Sequence, residues 1–138
     1  MFYGTLDAEA PDPLRLFQLM VDHAEFNVTQ PGLAQMYALL AAEACNEEHP
    51  AHAYFRDRYD RVVGFIERCL RHGVANGALR QGIDCNAVAR EILAVSDGFQ
   101  LQWGLSGGHW DMPGALRGYL DRLARTLTTD GRGLAVDS

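Results

Sequence analysis

Five stretches of this sequence repeat apolar residues at intervals of three and four, and proline or glycine punctuates the gaps between them. That period belongs to helices that bury one face. Residue choice agrees: alanine and leucine total 35, against 16 for valine, isoleucine and threonine together, a balance that favours helix over strand. The expected fold class is all-α, an antiparallel bundle of five main helices.

The first helix is expected from Asp12 to about Val28. Asp12 can accept from the free N–H groups of the first turn, and Pro13 suits the first helical position. The second runs from about Gly32 to Cys45, with Leu33, Met36, Tyr37, Leu40 and Ala44 on one face. The third runs from Pro50 to about Val74 and closes at Asn76-Gly77, a pair that tolerates left-handed geometry. Phe55, Tyr59, Val62, Ile66 and Leu70 form its stripe. Arg56–Asp60, Asp57–Arg61 and Glu67–Arg71 read as i,i+4 pairs on a solvated face. Gly64, in mid-helix, permits close packing or a bend. Asp84 caps a fourth helix, Cys85 to Leu105, with Val88, Ile92, Val95, Phe99 and Trp103 in line. Asp111 caps the fifth, which extends to about Thr128 with Leu116, Leu120, Leu123 and Leu127 as its seam. A short glycine-containing loop makes the last two helices antiparallel neighbours. Residues 1–11 read as a lead-in segment, 12–128 as one domain and 129–138 as a disordered tail.

Charge and cysteine content narrow the roles. The chain of 138 residues carries 12 basic and 18 acidic residues, a net charge of −6, and every base is arginine. Such a chain has no overall field for holding a phosphate backbone. Cys45, Cys69 and Cys85 are odd in number and form no C-x-x-C pair, so neither a disulfide framework nor a redox motif is indicated. With no signal peptide and no apolar run longer than Met36–Ala42, a cytoplasmic protein without membrane partners is expected.

Few residues suggest chemistry. Cys45, His49 and His52, with Glu48 beside them, are ligand types that zinc accepts. Pro50 breaks their register and no second cluster completes four ligands, so a helix boundary is the better reading and no metal is assigned. Ser96, Ser106 and Ser138 lie outside any G-x-S-x-G, and no Walker or dinucleotide motif occurs. No catalytic residue and no cofactor is assigned, and an enzyme is not expected. The aromatic and methionine residues of four helices can form either an ordinary core or a pocket. Asp97, Gln100 and Gln102 among apolar neighbours suit the second. The leucine seam of the fifth helix can pack within one chain or against a second copy.

Several ordered pieces resemble the C-terminal regulatory domain of tetracycline-repressor-like (TetR family) transcriptional regulators. They are His49-Pro50-Ala51-His52 with Tyr54-Phe55-Arg56, then Gly77-Ala78-Leu79-Arg80, Asp84 and Ala89. Asp97-Gly98-Phe99-Gln100-Leu101-Gln102-Trp103 and Tyr119-Leu120 follow. Gln30-Pro31-Gly32-Leu33 and Ala41-Ala42-Glu43-Ala44 resemble the helix before that run. The likeness spans about residues 12–128. It implies a homodimeric regulator, typically a repressor, that binds a small-molecule effector and contacts DNA only through a helix-turn-helix domain absent from this chain. It also implies a four-helix dimer interface from the last two helices, expected at Leu116, Leu120, Leu123 and Leu127. A cavity between the first four helices would bind an apolar or aromatic molecule. Its expected lining is Phe17, Met20, Met36, Tyr37, Leu40, Phe55, Tyr59, Ile66, Phe99, Gln100 and Trp103. The competing readings are a small helical metal-binding or enzyme module, and a pure dimerisation module with a filled core.

Overall fold

The structure, a computed structural model, describes residues 10–135. It contains α1 (Pro13–Asn27), α2 (Pro31–Glu43), α3 (His52–Ala75), α4 (Cys85–Leu105) and α5 (Met112–Leu127), with no strand among the described residues. The all-α expectation holds, and the helix boundaries fall within two residues of their expected places. Most of the expected lead-in segment lies outside the described residues.

The caps divide by local geometry. Asp84 accepts from the Ala87 N–H at 3.1 Å and Asp111 from the Gly114 N–H at 3.0 Å. Asp12 makes no such bond, so α1 starts on Pro13 alone. Pro50 does not open α3. It sits in a turn where the His49 N–H donates to Asn46 O, because a residue preceding proline is pushed away from helical geometry. Asn76 and Gly77 close α3 as expected, with Gly77 at φ +83°. On the solvated face of α3, Arg71 meets Glu67 at 2.9 Å, while Arg56 pairs with the adjacent Asp57 rather than with Asp60.

α1 packs against α5 and α3, α3 against α4, and α4 against both α5 and α2. Leu16, Phe17, Met20 and Val21 of α1 are buried. So are Leu116, Leu120 and Leu127 of α5, while Leu123 is half-buried. The leucine seam therefore packs inside the single chain, with only Leu123 half-exposed. α5 has one apolar stripe, and the apolar face of α1 occupies it. α2 is the exception in the bundle: it has no buried residue.

Residues 128–135 are packed, contrary to the disordered tail expected there; residues 136–138 lie outside the described residues. Thr128 bridges Leu79, the Thr129 N–H donates to Ala78 O, and the Arg80 N–H donates to Leu127 O. Leu134 is buried and its N–H donates to Asp121 at 2.9 Å. One apolar side chain and one carboxylate on α5 anchor a segment whose composition reads as loop.

Close approach falls at Gly73, not at Gly64. A Cβ at Gly73 would stand 2.6 Å from Pro13 Cγ and 2.8 Å from Leu79 Cγ, while one at Gly64 would meet only the Arg68 side chain. Gly73→Ala should therefore destabilise the domain by about 1–3 kcal/mol in denaturant melts, outweighing alanine's better helix propensity. Gly64→Ala should be neutral or stabilising in the same measurement.

Candidate functional site

α2 lies over the space between α1, α3 and α4, and its facing side is built from small residues. Ala34, Ala38 and Ala41 recur at helical spacing around Tyr37. Short side chains on one wall and long ones opposite leave a cavity of about 620 Å3. Met20 and Ala24 of α1, Phe55 and Tyr59 of α3, and Gln100 of α4 complete most of its apolar surface.

Of the eleven residues expected to line a pocket, Met20, Tyr37, Phe55, Tyr59 and Gln100 do so. Phe17, Ile66 and Trp103 are instead buried in the core. Met36 and Leu40 sit on the outer side of α2, exposed. Phe99 packs edge-to-face on Trp110 with ring centroids 5.3 Å apart. The expected stripe of α2 is split, with Tyr37 on the cavity wall and Met36 and Leu40 outside, and helical phase alone does not say which faces meet one another.

The polar groups of the wall are few. The Tyr59 hydroxyl donates to Asp97 Oδ2 at 2.8 Å, joining α3 to α4. Asp97 remains open toward the cavity mouth. Even so, desolvation by its neighbours raises its pKa above the ordinary carboxylate value, and the Tyr59 hydrogen bond only partly opposes this. The Tyr37 hydroxyl is pushed up to about 12, chiefly by burial. The Arg58 guanidinium, 5.1 Å from the Tyr37 ring centroid, pulls it back. The nearby Tyr54 side chain raises it again, without a hydrogen bond of ordinary geometry. His23 is lowered, first by burial and also by the charge of Arg58. Ser96 Oγ and Gln100 Nε2, one turn apart on α4, are buried with no hydrogen-bond partner.

Sequence reasoning missed His23, Arg58 and Ser96 as wall residues. The available signal was spacing: Ser96 and Gln100 are i,i+4 on the apolar side of α4, and Arg58 neighbours Tyr59 on the partly buried side of α3. The candidate metal residues serve the turn between α2 and α3. The His52 Nδ1–H donates to Ala44 O at 2.8 Å, and His49 Nδ1 accepts from the Ala51 N–H at 3.1 Å. Among the described residues no group of three metal-ligating side chains converges, and no helix is long and apolar enough to cross a membrane.

The sign of the Asp97 shift gives a test. A carboxyl whose folded pKa is raised favours the folded state below the unfolded value, and that contribution is lost as pH rises through the folded value. Asp97→Asn keeps an acceptor for Tyr59 but carries no charge. Its melting temperature should exceed that of the wild type at neutral pH, and the difference should vanish on acidification below the ordinary carboxylate range.

Comparison with known proteins places this arrangement. No curated protein and no solved structure matches the chain. The model of the BetI-type transcriptional repressor C-terminal family matches residues 15–128, a span that takes in the cavity and nearly all of the five helices. That agrees with the TetR-like pieces of the sequence, and the chain belongs to the family of BetI-type transcriptional repressor C-terminal domains.

Proposed function

We propose that this domain is the effector-binding and dimerisation part of a transcriptional regulator, holding a small, mainly apolar or aromatic molecule in the cavity beneath α2. The observation that carries the reading is the cavity of about 620 Å3 with apolar walls and two buried polar atoms, on Ser96 and Gln100, that lack partners. Space of this size with a few convergent polar groups is the usual form of a small-molecule site. The reading involves no catalytic step. An effector acts by favouring one arrangement of the helices, to the extent of its differential affinity. DNA contact belongs to a helix-turn-helix domain outside this chain. Three free thiols suit a reducing, cytoplasmic setting.

Dimerisation is assigned to the outer face of α4 rather than to the α5 leucines. Ala94 and Leu105 are exposed on one side of that helix, Leu105 at 80%, while Leu101 between them also lines the cavity. The same helix presents Ser96 and Gln100 to the cavity. An effector that shifts α4 would therefore move the face that meets the second copy.

Ala38→Trp tests the cavity. α2 buries no side chain, so the larger residue should fill space at little cost in melting temperature. Aromatic and aliphatic small molecules should raise the melting temperature of the wild type and not that of Ala38→Trp. Absence of any ligand-dependent rise in the wild type across such a panel would refute the reading. For the interface, Leu105→Glu should give a folded monomer by sedimentation at micromolar concentration where the wild type is dimeric, because a charge buried at an interface without a partner costs several kcal/mol.

A further inference from the structure

Resting on the cavity reading above, we infer that the effector is uncharged and carries a carbonyl oxygen that accepts from both Ser96 and Gln100 of α4. Ser96 Oγ and Gln100 Nε2 belong to the cavity wall, are buried, and have no hydrogen-bond partner among the described residues. They stand four residues apart on one helix, where side chains are neighbours with Cβ atoms about 5–6 Å apart. A buried donor left unpaired is costly, so a ligand that pairs it gains more than its apolar contacts alone would give. The amide nitrogen can only donate, and the hydroxyl can donate. A carbonyl oxygen has two lone pairs and brings no hydrogen of its own, so one such atom can serve both groups. A hydroxyl or a primary amide on the ligand would bring hydrogens that need acceptors in turn. A ketone, ester or lactone on an aromatic or aliphatic body is the class that fits.

The charged groups of the wall are engaged with their own neighbours. Tyr37, Arg58, Tyr59 and Asp97 gather with Val62 and Leu93 around an adjoining recess of about 40 Å3. That is room for water and not for a ligand headgroup. There the Arg58 guanidinium lies 5.1 Å from the centroid of the Tyr37 ring, and Asp97 Oδ2 accepts from the Tyr59 hydroxyl at 2.8 Å. One cation and one carboxylate around the same recess leave little net attraction for an ion of either sign. Arg56, the other guanidinium of the cavity wall, is paired with Asp57 at 3.1 Å. His23 is held toward its neutral form, chiefly by burial. On α2 the alanines at 34, 38 and 41 offer no polar side-chain atom. A charged ligand would give up its hydration here without a matching partner, which is expensive.

The test uses matched probes. They are acetylnaphthalene and methyl heptyl ketone, each beside its analogue with a methylene group in place of the carbonyl oxygen, together with naphthoate and naphthylethylamine. Calorimetry or thermal shift on the wild-type chain should show each ketone binding about tenfold or more tighter than its hydrocarbon analogue, because the analogue leaves the buried donors unpaired. Naphthoate and naphthylethylamine should bind more weakly than acetylnaphthalene. Ser96→Ala combined with Gln100→Leu removes both donors. It should bring each ketone and its analogue within about twofold of each other, and it should melt no lower than the wild type, since no hydrogen bond of either polar atom is lost. A ketone that binds no tighter than its analogue overturns the inference and leaves the cavity reading standing, because both still bind. A charged probe that matches acetylnaphthalene overturns it as well, and so does a ketone preference that survives the double substitution. A double variant that melts lower assigns the two groups to the fold and overturns it too. If no probe binds, the carbonyl preference falls, and the broader apolar panel described above decides whether the cavity reading falls with it.

Discussion

The packing of α1 against α5 is the contact on which the rest of the domain leans. Leu16 on one helix and Leu120 on the other are fully buried. Burying a leucine-sized side chain is worth roughly 1.5–3 kcal/mol, so a stripe of them outweighs the weak pairs on the surface. Once α5 spends its single apolar stripe on α1, its other faces are polar or small. α1 is then held on two sides, by α5 and α3, and α4 packs against both of those. Most of what remains apolar and uncovered lies on α2 and α4, with Phe26 of α1 and Tyr54 of α3 beside it. The location of exposed apolar surface follows from which helices cover each other's apolar stripes.

That arrangement explains how much could be read from residues alone. The five helices were legible because prolines and capping aspartates stand at fixed offsets from periodic runs. α4 was found to the residue, since Asp84 bonds to Ala87 and Ser106-Gly107-Gly108 stops the helix sharply. The α2–α3 connection was less legible. Pro50 is equally at home in a turn and in a first helical turn, and only the His49 and His52 backbone contacts separate the two. The packed tail was invisible for a different reason. Its order depends on Leu134 reaching a hollow and on Asp121 accepting its N–H, and neither fact has a periodic signature.

The cavity was legible in kind and only partly in detail. Aromatic residues on α3 and a glutamine on α4 marked the correct walls. The error lay in treating large side chains as the markers of a pocket. Phe17 and Ile66 are large and have 1% of their surface exposed, because they fill the space they face. The alanines at 34, 38 and 41 matter more, since a void needs a wall too short to cross it. Polar residues added information where bulk did not. Ser96, Asp97 and Gln100 lie on the part of α4 that meets no complementary partner from another helix, apart from the Tyr59 bond to Asp97.

The absence of any buried side chain on α2 has a kinetic meaning. Detaching a helix costs roughly the apolar surface it covers, so α2 opens at a lower free energy than α1 or α5, whose loss would unfold the whole. A molecule held in the cavity and touching Tyr37 or the alanine face would add to the little that holds α2 in place. Such a site can combine slow release with ready uptake from an apo state in which α2 fluctuates. In amide exchange, α2 would change from the least protected helix to one whose protection reports how full the cavity is.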